Sequence, residues 1–420
     1  MTQSEQPPPA LRALGRVEFT SLLAMTMALA ALGIDLMLPA FGAIRTDFGL
    51  QPDSTAVAGI VTAYLLGLAV AQLFYGPLAD RFGRKPILYI GFAIYILGAA
   101  ASALAPSLGA LYAARFVWGI GTAGPRVITL AVVRDTFSGA RMARAMSLIM
   151  TVFIVVPVVA PSLGALIVSV ADWRWVFGFC VLAALAVAIW SLRLPETLRP
   201  EFRRDLRLSS LLQGARAVLG NRQTLATTLA ITALFGVFTS YLASSEIIIN
   251  DVFGMGEQFP LVFGGFAVVL GAAMLANAHV VGRVGVGRMV RAVLPVYVTV
   301  AALIVVMAVA SGGHPPFWAF APVLALLLAG HSLLIPNLNT LAMDPMAAVA
   351  GTASAVIGTL STAGGAAIGW LIDRSFNGTI IPISIGFLAC GVVAMGLVYW
   401  AERGSNLKST EDVQPEPSLP

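Results

Sequence analysis

Five ionisable side chains stand inside or at the ends of long apolar runs in this chain: Asp35, Arg115, Arg126, Glu246 and His331. Such a group is costly to desolvate, which makes each a functional candidate by default. A carboxyl such as Asp35 can take up a proton on one side of a barrier and lose it on the other. A guanidinium such as Arg115 stays protonated and can only pair, stack or bind an anion. His331 changes charge near neutral pH and is a second proton candidate. No nucleophile–base set accompanies them, and the two cysteines, Cys180 and Cys390, sit in separate apolar runs without metal-ligand spacing. The phosphate-cradling pattern G-x-x-x-x-G-K-[ST] is absent, and no polar segment is long enough for an ATPase domain. The chemistry on offer is proton binding tied to the movement of a solute, with the proton as coupling ion and no other cofactor.

The elements that must position these groups are membrane helices. Hydrophobic residues make up 58% of the chain, charged residues 11%, and the mean hydropathy is +0.89. A soluble globule has roughly a quarter of its residues charged, so that class is excluded. Apolar runs of 18 residues or more recur, each long enough to cross a hydrocarbon core of ~30 Å. Twelve spans are predicted, at 18–43, 55–78, 87–105, 108–132, 145–170, 175–194, 223–248, 258–281, 291–311, 317–342, 346–371 and 378–400. The polar stretch 195–222 divides them six and six. The chain then reads as a tail (1–16), a first six-helix bundle (17–194), a linker (195–222), a second bundle (223–400) and a second tail (401–420). In the linker, Leu208, Leu211, Leu212, Ala215, Val218 and Leu219 share one helical face, away from Arg207 and Arg216, which predicts a short amphipathic helix on the membrane surface. A linker with chance periodicity is the plainer alternative.

Positive charge fixes the expected orientation. With the N-terminus inside, twenty Lys and Arg residues fall inside and three, Arg45, Arg174 and Arg374, outside; Arg115 and Arg126 lie within a span. Both termini are therefore expected in the cytoplasm. The net charge of +5 is read as orientation in a membrane, not as nucleic-acid binding.

Asp35 lies about eight residues from the outer end of the first span, roughly 12 Å deep, and Arg115 about seven residues into the fourth, roughly 10 Å deep. Their similar depth makes them a candidate pair, with a purely structural ion pair as the alternative. Arg126 is close enough to the inner end of its span either to snorkel or to touch a solute. Glu246, near the outer end of the seventh span, either attracts cationic solutes or is solvated. His331, Asn337, Asn339 and Asn277 either line a cavity in the second half or bond across helices.

Backbone-shaping residues complete the pattern. Span five reads Val156-Pro157-Val158-Val159-Ala160-Pro161-Ser162-Leu163-Gly164, so two prolines remove two backbone donors from one face and Gly164 continues that face. Gly59, Ala63, Gly67 and Ala71 in span two, and Ala347, Gly351, Ala355, Thr359, Ala363 and Ala367 in span eleven, form small-residue faces that allow close approach. Between spans two and three, Gly76-Pro77-Leu78-Ala79-Asp80-Arg81-Phe82-Gly83-Arg84-Lys85-Pro86 carries four charges in eleven residues. Arg283-Val284-Gly285, between spans eight and nine, echoes Arg81-Phe82-Gly83 at the place a parallel repeat of two halves requires.

The turn at 76–85 resembles G-x-L-A-D-R-x-G-R-[KR], the signature loop of the major facilitator superfamily. Arg115-Phe116-Val117-Trp118-Gly119-Ile120-Gly121 resembles that superfamily's span-four motif R-x-x-Q-G-x-G, with Trp118 in place of glutamine. The double proline of span five is similar to its antiporter motif, in the form found in bicyclomycin and chloramphenicol exporters among the twelve-span drug/proton antiporters. Ile34-Asp35-Leu36-Met37-Leu38-Pro39, Arg134-Asp135-Thr136-Phe137, Trp173-Arg174-Trp175-Val176-Phe177 and Leu194-Pro195-Glu196-Thr197-Leu198 also match that branch. The resemblance covers essentially the whole chain and is richest in the first half. It implies an all-α membrane fold of two pseudo-symmetric six-helix bundles, in which spans one and four line the central cavity and spans two and eleven meet across the halves. It implies that Arg115 takes part in proton coupling with Asp35. Gly76, Asp80, Arg81, Gly83 and Arg84 are implied as a latch at the cytoplasmic side, and Pro157, Pro161 and Gly164 as the antiporter element. The function implied is alternating-access export of a small amphipathic drug in exchange for protons, by a monomer in the bacterial inner membrane. A proton-coupled or facilitated uptake carrier on the same fold is the nearest rival, followed by a non-transporting receptor. The charges at Asp35 and Arg115 argue against the receptor.

Overall fold

Lipid offers the backbone no hydrogen-bond partners, so a spanning chain must satisfy itself within helices. The structure, a computed structural model that describes residues 14–203 and 208–403, is helical throughout, with no strand among the described residues. Twelve long helices are labelled here in chain order: α1 (Arg16–Asp35), α2 (Gly59–Phe82), α3 (Arg84–Ala103), α4 (Leu108–Thr136), α5 (Gly139–Val170), α6 (Arg174–Trp190), α7 (Arg222–Ile247), α8 (Phe259–Val284), α9 (Val286–Ala310), α10 (Phe317–Met343), α11 (Ala350–Asp373) and α12 (Ile381–Glu402). Helices α10 and α11 follow each other almost without interruption over 57 residues. At ~1.5 Å per residue that is far too long for one crossing. The break falls at Asp344–Val349, where Pro345 opens a 3-10 turn and Met346 leaves helical geometry at φ −104°, ψ 15°. The two therefore cross separately.

The first span ends earlier than its apolar run. It stops at Asp35, and the chain continues through a 3-10 turn (Leu38–Ala40) into a short helix, Phe41–Asp47. Pro39 has no N–H to donate to the Asp35 carbonyl four residues back, so the α-helical ladder ends there. The predicted span 18–43 is thus a helix broken at its own functional candidate. Conversely, α5 begins at Gly139, six residues before the predicted start at 145. The linker helix is present as Leu208–Gly220. Its Val218 is buried and its Gly214 lies against Thr352 of α11, while Leu212 and Leu219 stay exposed, so it is seated on the second bundle along one edge. Arg207 and most of the two predicted tails lie outside the described residues.

Within the first bundle α4 packs on α2 and α3, and α5 on α1; within the second, α7 packs on α10, α11 and α12. The α2–α4 crossing is interlocked by glycines. A Cβ on Gly67 would fall on the Phe116 carbonyl, and one on Gly119 would fall on the Tyr64 carbonyl. Gly59 likewise meets the ring of Tyr112. This corrects the reading of the span-two stripe: Gly59 and Gly67 serve close packing inside the first bundle, not the seam with α11. Span eleven does use its stripe at the seam, where the Thr359 hydroxyl donates to the Ala69 carbonyl (2.9 Å) and Gly358 lies beside Gln72, which bonds Thr362 (3.4 Å). Ala69 is two residues from Gly67, so the seam takes a different face of α2.

The repeat shows in the backbone. Gly83 (φ 105°, ψ 157°) ends α2 and precedes α3, and Gly285 (φ 87°, ψ 148°) does the same between α8 and α9. Both amides bond the carbonyl four residues back, and only glycine adopts this positive-φ reversal without strain. The two halves meet unevenly. Near the end that carries Arg45, α8 buries Phe259, Phe263, Phe266 and Ala267, and its Gly264 faces the Val158 carbonyl of α5, which an added Cβ would approach to 3.2 Å. Towards the end that carries Arg84, residues 278–285 of the same helix are exposed at every position but one. The bundles are pressed together at the Arg45 end and parted at the Arg84 end.

Candidate functional site

Asp35 closes α1 and is buried, 4% exposed. No ion pair reaches it among the described residues. The turn that follows it, Leu38–Ala40, contacts α7 across the boundary between the bundles. Behind it stands α5. A Cβ on Gly164 would fall on the Leu36 carbonyl, and Gly164 also lies beside Pro39. The helix runs unbroken through Pro157 and Pro161, and Pro161, buried with Gly164, leaves the Pro157 carbonyl without its usual i−4 partner. The double-proline element therefore packs on the backbone at the break that presents Asp35. Gly164→Val should force α5 off that backbone. Transport is expected to be lost with a smaller loss of protein abundance, read by transport assay and thermal melting of the purified protein.

Arg115 is fully buried on α4. One Nη donates to the Gly33 carbonyl (2.8 Å) and Nε to the Ile60 carbonyl (3.4 Å), while the other Nη is buried without a partner. Its guanidinium carbon lies 4.4 Å from the Tyr64 ring centroid and 4.5 Å from that of Trp118. Aromatic faces thus supply what a carboxylate would, each interaction being worth up to about 2 kcal/mol when desolvated. Here Trp118, standing where the family motif has glutamine, acquires a physical role. Asp35 and Arg115 do not pair in this conformation. The arginine instead holds the α1 backbone two residues before the carboxyl, and Arg126, half-buried on the same face of α4 three turns on, has no ion pair among the described residues.

The turn between α2 and α3 is tied inside the first bundle. Arg84 bonds Asp80 (2.5 Å) and Asp135 (2.8 Å), the Glu196 carboxylate accepts from the Arg84 and Lys85 amides (2.9 and 3.0 Å), and the Lys85 ammonium donates to the Leu192 carbonyl (2.9 Å). The carboxylate of Glu196 thereby caps the α3 N-terminus, where the helix dipole favours negative charge. Gly83 is required twice, for its φ and because a Cβ would strike Glu196. Arg81 rests over the Phe82 ring and Gly76 has open space beside it. No hydrogen bond or ion pair joins Asp80 to α11 among the described residues, so the implied latch is unfastened at the parted end.

The remaining candidates separate. Glu246 is not solvated: it pairs with Arg45, both buried, across the bundles. Arg45 also donates to the Pro52 carbonyl (3.3 Å). His331 is buried and stacked on Phe238 (4.7 Å, 18°), with Nδ1 unpartnered. Asn337 donates to Asn277 (2.7 Å) and to the Leu333 carbonyl (2.7 Å), which ties α10 to α8. Asn339 is exposed. Two residues of this region escaped the sequence reading. In the sequence Arg45 reads only as an outside charge. Asp373, at the end of α11, is buried and accepts from Ser240 (2.6 Å) and Ser244 (2.7 Å) of α7. Its signal was periodicity: Gly365, Gly369 and Asp373 fall at four-residue steps on one face, opposite Gly236, Ser240 and Ser244.

With this geometry in hand, comparison with known proteins identifies the family. The pattern of the Major Facilitator Superfamily matches residues 23–369. The chain belongs to the major facilitator superfamily. It is 30% identical over 393 residues to a bicyclomycin resistance protein homolog of Haemophilus influenzae, covering 93% of this chain and 97% of that one. It is 26% identical over 383 residues to the multidrug resistance protein MdtL of Escherichia fergusonii, covering 91% and 95%. Among solved structures, a D-xylose-proton symporter superposes with a TM-score of 0.73 at 14% identity, covering 91% of this chain and 98% of that one. The human organic anion transporter MFSD10 gives 0.67 at 17%, covering 94% and 100%. The structural likenesses support the superfamily fold of two six-helix bundles, and the family makes this chain a multi-pass membrane transporter and not an enzyme.

Proposed function

We propose that this transporter exports small amphipathic drugs across the bacterial inner membrane in exchange for protons, by alternating access. The observation that carries the reading is Asp35: a buried carboxyl without a counter-cation among the described residues, at a proline-made helix break, backed by the double-proline helix α5 and next to the second bundle. A carboxylate left unpaired in an apolar site is costly, so the group favours its neutral form when buried and its charged form when water reaches it. Proton uptake and release then follow which end is open. The proton enters from outside and leaves inside, while the drug moves outward.

The charge asymmetry of the sequence supports an orientation with the parted Arg84 end in the cytoplasm and the pressed Arg45 end outside. The conformation is accordingly inward-facing, with the outer seam held by Arg45 and Glu246. The likeness to a bicyclomycin resistance homolog and to MdtL favours drug substrates and export over uptake. No second subunit is needed for a passage formed between the two bundles of one chain. Expression in a pump-deficient bacterial host should raise resistance to bicyclomycin or chloramphenicol several-fold, and everted vesicles should release protons when either drug is added. A panel with no gain in resistance, together with proton-driven uptake of a metabolite, would reverse the direction.

A further inference from the structure

The crossing of α7 and α11 is among the tightest in the second bundle. A Cβ on Gly369 would press on the Gly236 carbonyl, and one on Gly236 would overlap Ile368. One turn beyond, the same two faces deliver Ser240 and Ser244 to one oxygen of Asp373, while its other oxygen, Oδ2, is buried without a partner among the described residues. The charged groups nearest on surrounding elements are already engaged. Glu246 on α7 is held by Arg45, and the Arg374 guanidinium stacks over Trp370 at 4.8 Å. Asp53, ahead of the 3-10 turn Thr55–Ala58, is exposed, and α12 carries no charged residue before Glu402. Tyr241 turns to the rings of Phe263 and Phe266, and His331 to Phe238. Two neutral hydroxyls do not compensate a carboxylate in such surroundings.

One of its two hydroxyl donors, Ser244, stands at the Arg45 end of the molecule. Ser244 lines a narrow crevice with Phe41, Arg45, Ser54, Val57 and Glu246, where the two bundles are pressed together. Asp373 is hydrogen-bonded to Ser244 and so stands next to that crevice; parting of the Arg45–Glu246 seam would admit water to it.

We propose that Asp373, cradled by Ser240 and Ser244, is a second proton-binding carboxyl, which must take up a proton before the seam at the Arg45 end can close. One carboxylate oxygen receives the proton from water in the open crevice, and the neutral acid is then buried. The same proton returns to water when the seam reopens. This rests on the alternating-access reading above but differs from the role of Asp35, because Asp373 stands next to the crevice at the Arg45 end.

The carboxyl is observable directly. Infrared spectra of the purified full chain in lipid at neutral pH should contain a protonated-carboxyl stretching band that Asp373→Asn removes. Ser240→Ala and Ser244→Ala, which keep the carboxyl and remove a donor, should displace that band. The link to closure is read with Val57→Cys in an Asp35→Asn background, using a membrane-impermeant thiol reagent from the Arg45 side. Both native cysteines are buried. Labelling should rise with pH, at most roughly tenfold per unit for one linked proton, and Asp373→Asn should flatten the slope. Protonation of Glu246 would break its pair with Arg45 and open the seam as pH falls, the opposite sign. An infrared spectrum unchanged by Asp373→Asn overturns the proton site, and an unchanged labelling slope overturns its link to closure. Failure of the transport reading is seen separately, as absence of drug export by the unaltered chain.

Discussion

Asp35→Asn is expected to abolish drug-driven proton exchange while leaving a folded protein that still binds drug. The substitution is nearly isosteric and removes only the exchangeable proton, and no ion pair to Asp35 is broken among the described residues. Folding should therefore suffer little. In liposomes with an imposed pH gradient, export above the ungraded background should vanish, and drug binding measured at equilibrium should change by less than the coupled rate does. Arg115→Lys makes a useful contrast. It keeps the charge but loses the planar fork that reaches the Gly33 and Ile60 carbonyls and lies between two aromatic faces. Its defect should appear as a displaced α1, with lowered thermal stability and partial export. Gradient-driven export that persists in Asp35→Asn would remove Asp35 as the carrier. Asp373 would then be tested next, since Glu246 is paired and His331 is packed among rings.

What the sequence disclosed and what it hid divide along a physical line. Local chemistry was legible: apolar length for the helices, Gly83 and Gly285 for two equivalent reversals, and the charges of the α2–α3 turn for a water-facing link. The break after Asp35 was also written locally, in a proline four residues on, although the apolar run concealed it. Pairings between distant segments were not legible. Arg45 and Glu246 are 201 residues apart, and nothing near either names the other. Small-residue spacing marked α2 and α11 for close approach without saying to what, and on α2 the answer was α4. Asp373 drew no attention in the sequence, although its face is the one that continues from Gly365 and Gly369 into α7.

That long-range pair supports the second large effect. Glu246→Ala leaves the Arg45 guanidinium buried at the seam without its carboxylate, and breaking a buried pair in this way costs about 3–5 kcal/mol. The cost falls on the closed form of the Arg45 end, because opening the seam returns Arg45 to water. A shift of that size changes a two-state population by a hundredfold or more, at about 1.4 kcal/mol per factor of ten. Labelling of Val57→Cys from the Arg45 side should accordingly rise by at least an order of magnitude. Export should fall, since a seam that cannot close cannot expose the site to the Arg84 side. Glu246→Gln keeps an acceptor for the guanidinium and should show a smaller rise. The exchange Arg45→Glu with Glu246→Arg restores opposite charges and should recover part of the closed population. Equal labelling in Glu246→Ala and the unaltered chain would mean that packing of α5 on α8, and not this ion pair, holds the seam shut.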